Sequence, residues 1–353
     1  MITVRSLGRV EYGDGLELQR RFQEARRANL VGDTLLLLEH NPVITLGRAA
    51  KAANVLADAA TLAARGVELH ETDRGGDVTV HGPGQVTGYP LFHLGPGKQD
   101  VRKYVRNVEE VVIRAAAKLG VTVHREPKWP GVWVADSKLG GLRKVGAVGV
   151  HLSRWYTRHG FALNVNTDLS LFELIVPCGI REAGVTSLAA ELGRPVSMEQ
   201  VHQLLGEAAG EVFGGGVEWK APDSSTVSVV PHAGPEVLLL KRTPARGDFW
   251  QPVTGRVERG ESAQAAAARE LFEETGIESA VSPLEYRHAF AWGEGEKLIV
   301  CEETAFAVEI PRCAEITLDP NEHTAYAWRS RNEALAEVPW AGLREAIRRA
   351  TTA

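Results

Sequence analysis

The hydrophobic and polar positions of this chain change period several times, and each change predicts an element. Residues 2–11 alternate apolar and polar, the period of a half-buried strand. Residues 15–31, LELQRRFQEARRANLVG, set Leu16, Leu18, Phe22, Ala25 and Leu30 on a loosely helical spacing that stops at Gly32. Thr34 to Glu39, TLLLLE, is almost wholly apolar and reads as a buried strand, and HNPVITLGR after it as strand or loop. Residues 55–65 predict a short helix, and Val67 to Thr72 lead into a Gly-rich stretch, RGGDVTVHGPGQ (Arg74 to Gln85). Residues 100–119 carry the clearest helical stripe: Val101, Tyr104, Val105, Val108, Val111, Val112, Ala115 and Leu119. Asp100 suits its N-cap and Gly120 its stop. Short strands are expected around Val121–His124 and Gly131–Ala135, a Gly-rich alternating run after Lys144, and a helix over 197–213.

The pattern then breaks. Gly214-Gly215-Gly216 and the polar APDSS of 221–225 read as a linker. Beyond it come strands at 226–230 and 236–241, an Ala-rich helix over 262–275, strands at 284–291, 298–308 and 322–329, and helices at 333–336 and 343–350. The expectation is two α+β domains, residues 1–218 and 219–353, in keeping with a length of 353 residues.

Composition narrows the classes. Hydrophobic residues make up 44% and charged ones 24%, which predicts packed cores. A formal net charge of −5 without a Lys/Arg block argues against a nucleic acid polymer as partner. The three cysteines, Cys178, Cys301 and Cys313, form no C-x-x-C, so neither a disulfide framework nor a cysteine metal site is expected. The N-terminus does not resemble a signal peptide and no apolar run is long enough to span a bilayer; the expected location is cytoplasmic, with no membrane association.

The candidate chemistry of the first domain lies between Lys144 and Leu188. Cys178 sits between Pro177 and Gly179, turn residues that would present a sulfur instead of packing it. A nearby lysine ammonium favours the thiolate and lowers a thiol pKa by roughly one to three units. Taken alone, such a pair is more often a buried thiol and a surface lysine. The surrounding words are longer: Lys144 with Gly149, then Ser153, Trp155 and HGFALN (His159 to Asn164), then PCGI (Pro177 to Ile180) and VTSL (Val185 to Leu188). This succession resembles the lipoyl(octanoyl) transferase family, as do EHNPVITLGR (Glu39 to Arg48) and RGGDVTVHGPGQ, in which Val80 stands where a Tyr is usual.

The resemblance implies a biotin/lipoate protein ligase-like fold with a mixed or largely antiparallel sheet. It also implies transfer of an octanoyl group from octanoyl-acyl carrier protein to a lysine of lipoyl domains, those of 2-oxoacid dehydrogenases and of the glycine cleavage H protein. Cys178 would carry the acyl group and Lys144 would be the second catalytic residue. Arg74, Gly75, Gly76, Asp77, Val78, Thr79, Val80 and His81 would line the substrate pocket with Ala147, Val148, Gly149, Gly160, Phe161 and Ala162. Arg74 and His81 could aim polar groups at a carbonyl or a carrier's amide arm. An oxyanion could rest on N–H groups near Gly179 or at the Gly75–Gly76 turn. A thioester is already activated, so no cofactor is expected here; the Gly-rich stretch also lacks the G-x-x-x-x-G-K-[ST] spacing of a phosphate loop. Lys98, Arg102, Lys103 and Arg106 could meet an acidic carrier, or form an ordinary solvated helix face. The alternative to an enzyme is a carrier-binding module.

The second domain carries a sharper signal. GRVERGESAQAAAARELFEETGI satisfies G-x5-E-x7-R-E-U-x-E-E-x-G-U with Gly255, Glu261, Arg269, Glu270, Leu271, Glu273, Glu274, Gly276 and Ile277. On a helix, Glu270, Glu273 and Glu274 project from one side. Clustered carboxylates repel unless a cation sits among them, and hard oxygen ligands suit Mg²⁺ or Mn²⁺ on a diphosphate. Arg269 could orient Glu273, and Glu302 and Glu303 are spare carboxylates for a base. The pattern is identified as the Nudix box. It implies an α/β/α sandwich that hydrolyses a small diphosphate-linked substrate, with catalytic Glu270, Glu273, Glu274 and Arg269, the three glutamates holding the metal. FWQPVTGRVERGES (Phe249 to Ser262) and residues 322–328 look like the dihydroneopterin triphosphate pyrophosphatase subgroup. The chain would then be bifunctional; the alternative is a Nudix-like module that binds or regulates without catalysis.

Overall fold

The computed structural model describes residues 1–135, 141–177, 183–294 and 297–351. The chain forms two compact units, one built mostly from residues 1–221 and one mostly from residues 222–353.

In chain order the first unit has strands β1 (Ile2–Val10), β2 (Thr34–His40), β3 (Val43–Leu46), β4 (Glu68–Glu71), β5 (Val78–His81), β6 (Gln85–Leu91), β7 (His124–Arg125), β8 (Val132–Ala135), β9 (Leu142–Ser153), β10 (Tyr156–Asn164), β11 (Gly184–Val185) and β12 (Val217–Trp219). Its helices are α1 (Tyr12–Arg27), α2 (Ala59–Ala64), α3 (Val101–Lys118), α4 (Leu188–Leu192) and α5 (Met198–Phe213). Among the described residues the main sheet runs β12-β1-β2-β6-β10-β9-β8-β7, with β11 beside β9, and β4-β3-β5 form a smaller sheet. Parallel pairs (β1 with β2 and β12) and antiparallel pairs (β6 with β10, β10 with β9) coexist, so the sheet is mixed.

The α3 stripe is core, as its period predicts. Tyr104, Val108, Val111, Val112 and Ala115 are buried with Val201 and Leu205 of α5 and with Leu35, Val86 and Leu163 of the sheet. The Asp100 carboxylate accepts from the Lys103 N–H, and Gly120 takes φ +86° after the last turn. Val101, at the head of the stripe, is exposed.

Two sequence expectations need refinement. Between the two segments expected as linker, 214–216 and 221–225, residues 217–219 form strand β12, paired with Ile2–Val4. The reason lies on α5: side chains at Gly206 and Gly210 would come within 2.5 Å of the Trp219 indole and 2.9 Å of Val217, so the bare helix face makes room for β12. Of the expected strand at 121–124 only His124 is strand; Val121 and Val123 are buried without pairing.

The second unit has β13 (Ser224–Ala233), β14 (Glu236–Arg242), β15 (Trp250–Gln251), β16 (Val253–Arg256), β17 (Ser282–Glu294), β18 (Lys297–Glu309) and β19 (His323–Ser330), with α6 (Ala263–Thr275), α7 (Arg331–Glu337) and α8 (Ala341–Ala350). The sheet order is β15-β14-β13-β18-β17; β16 also pairs β13 and β19 pairs β14. Strand alternation divides the core in two. Val227, Val229, Leu238, Leu240, Phe306 and Val308 pack on Ala266, Ala267 and Leu271 of α6. Val230, Val237, Leu239, Ala305 and Ala307 pack on Leu343, Ala346 and Ile347 of α8. One sheet between helices on both faces is an α/β/α sandwich.

Candidate functional site

In the first unit, β9 and β10 run antiparallel with Ala147 opposite Ala162, Val148 opposite Phe161 and Gly149 opposite Gly160. The Arg74–Gly76 loop lies directly on β9: the Gly75 N–H donates to Val150 O at 2.9 Å, and a Cβ at Gly149 would stand 2.8 Å from Gly75 O. Glycine is required there because the backbones touch. These segments enclose a cavity of about 180 Å³ lined by all six predicted residues of β9 and β10, by Arg74–Asp77, Thr79 and His81, and by Lys144.

Val78 and Val80 are the exceptions. Successive residues of β5 face opposite ways, so both point into a cluster with Ile44, Leu171 and Phe172, away from the pocket. The Val80 departure therefore alters packing and not the substrate surface.

Arg74 is tied to the fold: its guanidinium donates to Thr45 O at 2.7 Å and Thr45 Oγ1 at 2.8 Å, clamping the loop onto β3. His81 bonds Gln85 Oε1 at 2.7 Å, and burial lowers its pKa to about 3, so it stays neutral. Asp77 accepts from Asn54 Nδ2 at 2.6 Å and from the Val78 N–H at 2.8 Å, shaping the start of β5.

Lys144 is 8% exposed, and its ammonium lies 4.5 Å from the centroid of the buried Trp133 ring. Gly131, at φ +122°, lies close to β9: a Cβ there would stand 2.7 Å from Gly146 O. Val185 of β11 is in register with Lys144, and the Thr186 N–H donates to Lys144 O at 2.9 Å. A small recess shares Thr79, Lys144, Ala147 and Ala162 with the main cavity and is closed by Phe172, Pro177 and Val185. The described chain on either side of residues 178–182 thus comes to Lys144. Cys178 and Gly179 lie outside the described residues.

Sequence reasoning missed several lining groups: Tyr12, Tyr89, Trp129 and His159. His159 Nε2 is 2.7 Å from Asp73 Oδ1, and that hydrogen bond, with Arg158 beyond it, holds the Asp73 carboxyl well below its usual range. Only the HGFALN motif pointed to His159; nothing local marked the others, which come from the start of α1, from β6 and from the loop before β8.

In the second unit, Ser262 caps α6 and Gly276 ends it at φ +72°. The Arg269 guanidinium reaches Glu261 at 3.1 Å, Glu270 at 2.8 Å and Glu273 at 2.9 Å. Gly255 is needed because Glu270 crosses it; a Cβ there would fall 1.8 Å from Glu270 Cδ. The three box glutamates are in unlike surroundings. Glu273 is half exposed, Glu270 largely covered, and Glu274 buried, with neither oxygen in a well-formed hydrogen bond among the described residues. Burial, with Glu322 adding repulsion, pushes the Glu274 carboxyl well above its usual range. Among the described residues, the acidic and imidazole groups that converge are Glu274, Glu322 and His323, with ligand atoms within 4.8 Å of one another. An orphaned carboxylate beside a second one and a neutral imidazole fits a divalent cation. Glu322 and His323 were not singled out as ligands from sequence; strand β19 brings them to α6.

Comparison with known proteins agrees with both units. Residues 11–210 match the lipoyl protein ligase A/B catalytic domain and residues 222–350 the NUDIX domain. An octanoyltransferase of Myxococcus xanthus is 53% identical over 99% of both chains. One of Chloroflexus aggregans is 51% identical over 58% of this chain and 91% of its own. The crystal structure of lipoate-protein ligase A bound with ATP shares the fold at TM-score 0.50 and 16% identity, over 63% of this chain and 89% of that one. With a pocket of that fold built around Lys144 and a complete box on α6, this chain belongs to the octanoyltransferase family, as a transferase that carries a NUDIX hydrolase domain behind its catalytic domain.

Proposed function

We propose that the first unit transfers octanoyl in two steps, from octanoyl-acyl carrier protein to Cys178 and from Cys178 to a lysine of a lipoyl domain. The Cys178 thiolate adds to the thioester carbonyl, and the carrier's thiol leaves with a proton that Lys144 can supply. The incoming amine, once neutral, attacks the new thioester; the Cys178 sulfur leaves as thiolate, and the amine's proton passes to a base or to water. The observation that carries the reading is a buried lysine, 8% exposed, in an apolar-walled pocket, with Pro177 closing the adjoining recess. A buried cation stabilises an anion beside it far better than a solvated one does. The acceptors would be lipoyl domains of 2-oxoacid dehydrogenases and of the glycine cleavage H protein. The test is mixing with octanoyl-acyl carrier protein and intact-mass analysis. The expected result is one octanoyl adduct on Cys178 that a lipoyl domain discharges. Transfer by Cys178→Ser at the normal rate would end the proposal.

The second unit, on the same reading, hydrolyses a small diphosphate-linked substrate. Mg²⁺ or Mn²⁺ held by Glu274 with Glu270, Glu273 and Glu322 would neutralise phosphate charge and acidify a bound water. Arg269 orients Glu270 and Glu273, while Arg242 and Arg246, both paired with Glu322, line the cavity as cations for phosphate oxygens. Phosphate release from a nucleotide panel with Mg²⁺, lost in Glu274→Gln, is the expected result; no release from any would leave a binding module.

A further inference from the structure

The four cations considered for an acidic carrier, Lys98, Arg102, Lys103 and Arg106, are all exposed, and their side chains form no ion pair or hydrogen bond among the described residues. The other half of α3 differs: Arg114 pairs with Glu110 and Glu211, and Lys118 with Glu207 and Glu211. Arg102 and Arg106 stand one turn apart and Lys103 lies three residues before Arg106, so these cations share one side of the helix. Asp100 is the acid next to them in sequence, and its carboxylate is already engaged as the cap on the Lys103 N–H. Val101, the exposed head of a stripe whose inner members are buried, adds an apolar contact beside them.

The same side of α3 leads to the rim of the transferase pocket. Arg102, Arg106 and Glu109 follow one another at i, i+4 and i+7. Glu109 Oε1 accepts from the Gly131 N–H at 2.9 Å, which ties the loop before β8 to the helix. Trp129 and Pro130 of that loop line the cavity with Lys144, and Pro130 is also exposed, so the cavity opens there. Two more exposed cations mark the route, Lys128 on the loop and Arg125 before it. Arg125 donates to Arg106 O at 2.8 Å and pairs with Glu109 and Glu110, so the acids along this side are neutralised locally. The helical rise puts Arg102 about 10 Å from Glu109 along the axis.

We propose that the N-terminal half of α3 is the docking surface for the body of the acyl carrier protein, an acidic partner whose arm crosses the Trp129–Gly131 loop into the pocket. What the arm delivers rests on the transferase reading; the docking itself does not. Distance separates the two protein substrates. A carrier holds its acyl group on a long flexible arm, so its body can sit about 10 Å from the rim. An acceptor lysine projects from its domain on a four-carbon stem, too short to cross that gap, so a lipoyl domain has to meet the rim itself. A patch of uncompensated positive charge, in a chain whose formal net charge is −5, speeds the encounter with an acidic protein and orients it.

The test compares the wild-type full chain with the double variant Arg102→Glu, Arg106→Glu. The donors are octanoyl-acyl carrier protein and, with no protein body, the octanoyl thioester of N-acetylcysteamine. In the variant, KM for the carrier should rise roughly tenfold to a hundredfold at low salt with kcat unchanged, and the gap should shrink toward about 0.5 M salt. Acylation by the small thioester should stay within about twofold of wild type, because exposed charges contribute little to the fold. An unchanged KM for the carrier, or equal slowing of both donors, overturns the proposal. So does normal acylation with slower discharge of the preformed acyl-enzyme to a lipoyl domain, which would make the patch an acceptor surface. Calorimetric titration with the carrier separates docking from reaction. Wild-type binding that weakens roughly tenfold or more in the variant, with no acyl-enzyme formed from either donor, would overturn the transferase reading and leave the docking surface standing.

Discussion

Gly160→Ala tests how the transferase pocket is held open. Gly160 lies on β10 opposite Gly149 and lines the cavity. A Cβ at Gly160 would stand 2.2 Å from Gly88 O and 2.5 Å from Pro90 Cδ. Both atoms belong to β6, one as backbone and one in a proline ring, so neither can rotate away. Ordinary carbon contacts lie near 3.5 Å, and relief requires β6 and β10 to part by about 1 Å. Overpacking of this kind costs about 1–3 kcal/mol. In a unit of this size each kcal/mol moves the melting temperature about 2–4 °C, so a drop of about 2–12 °C is expected by scanning calorimetry. Octanoyl transfer should fall with it, because Phe161 and Ala162 move with the strand. Gly95→Ala is the control: nothing lies within 4 Å of its Cβ, and both readouts should stay near wild type. A Gly160→Ala protein that melts within about 1 °C of wild type and transfers at full rate would refute the packing argument.

Three further predictions follow from single side chains. Lys144→Met should slow acylation by octanoyl-acyl carrier protein roughly tenfold to a thousandfold at pH 7, through the lost thiolate; rapid-mix mass analysis reads it, and a rate within threefold of wild type removes Lys144 from the mechanism. Arg269→Lys keeps a charge but loses the fork that holds Glu261, Glu270 and Glu273, so phosphate release should drop about tenfold or more with the fold unchanged by circular dichroism. Glu303, pushed up to about 7 by burial, binds its proton more tightly when folded, so its contribution to stability declines as pH rises from about 4.5 through 7. Above that, Glu303→Gln should be the more stable protein by about 1–3 kcal/mol, and the gap should close below pH 4.5; urea unfolding at pH 5 and pH 8 that shows the same gap would contradict the burial argument.

Much of the first unit was legible because its signals are local. The α3 stripe, the Asp100 cap and the apolar run of β2 each record burial at short range. The Nudix box was legible for the same reason, since one helix and the loop before it hold the whole pattern. The strand at 217–219 was not: it lies between two segments that read as linker, and only the bare Gly206–Gly210 face of α5 makes room for it. Val78 and Val80 belong to a motif that reads as pocket, yet strand alternation turns them into the core.

By itself the sequence determined the family, the two-unit α+β architecture and the reactive residue types, because periodicity, caps and motif spacing are properties of neighbours along the chain. Tertiary structure alone decided that Arg74 clamps a loop, that Lys144 is covered by Trp133, that Glu322 and His323 join Glu274, and that Glu303 stands beside His288. Each of these depends on separate elements of the chain being packed side by side, and on the loss of water there, which local sequence does not record.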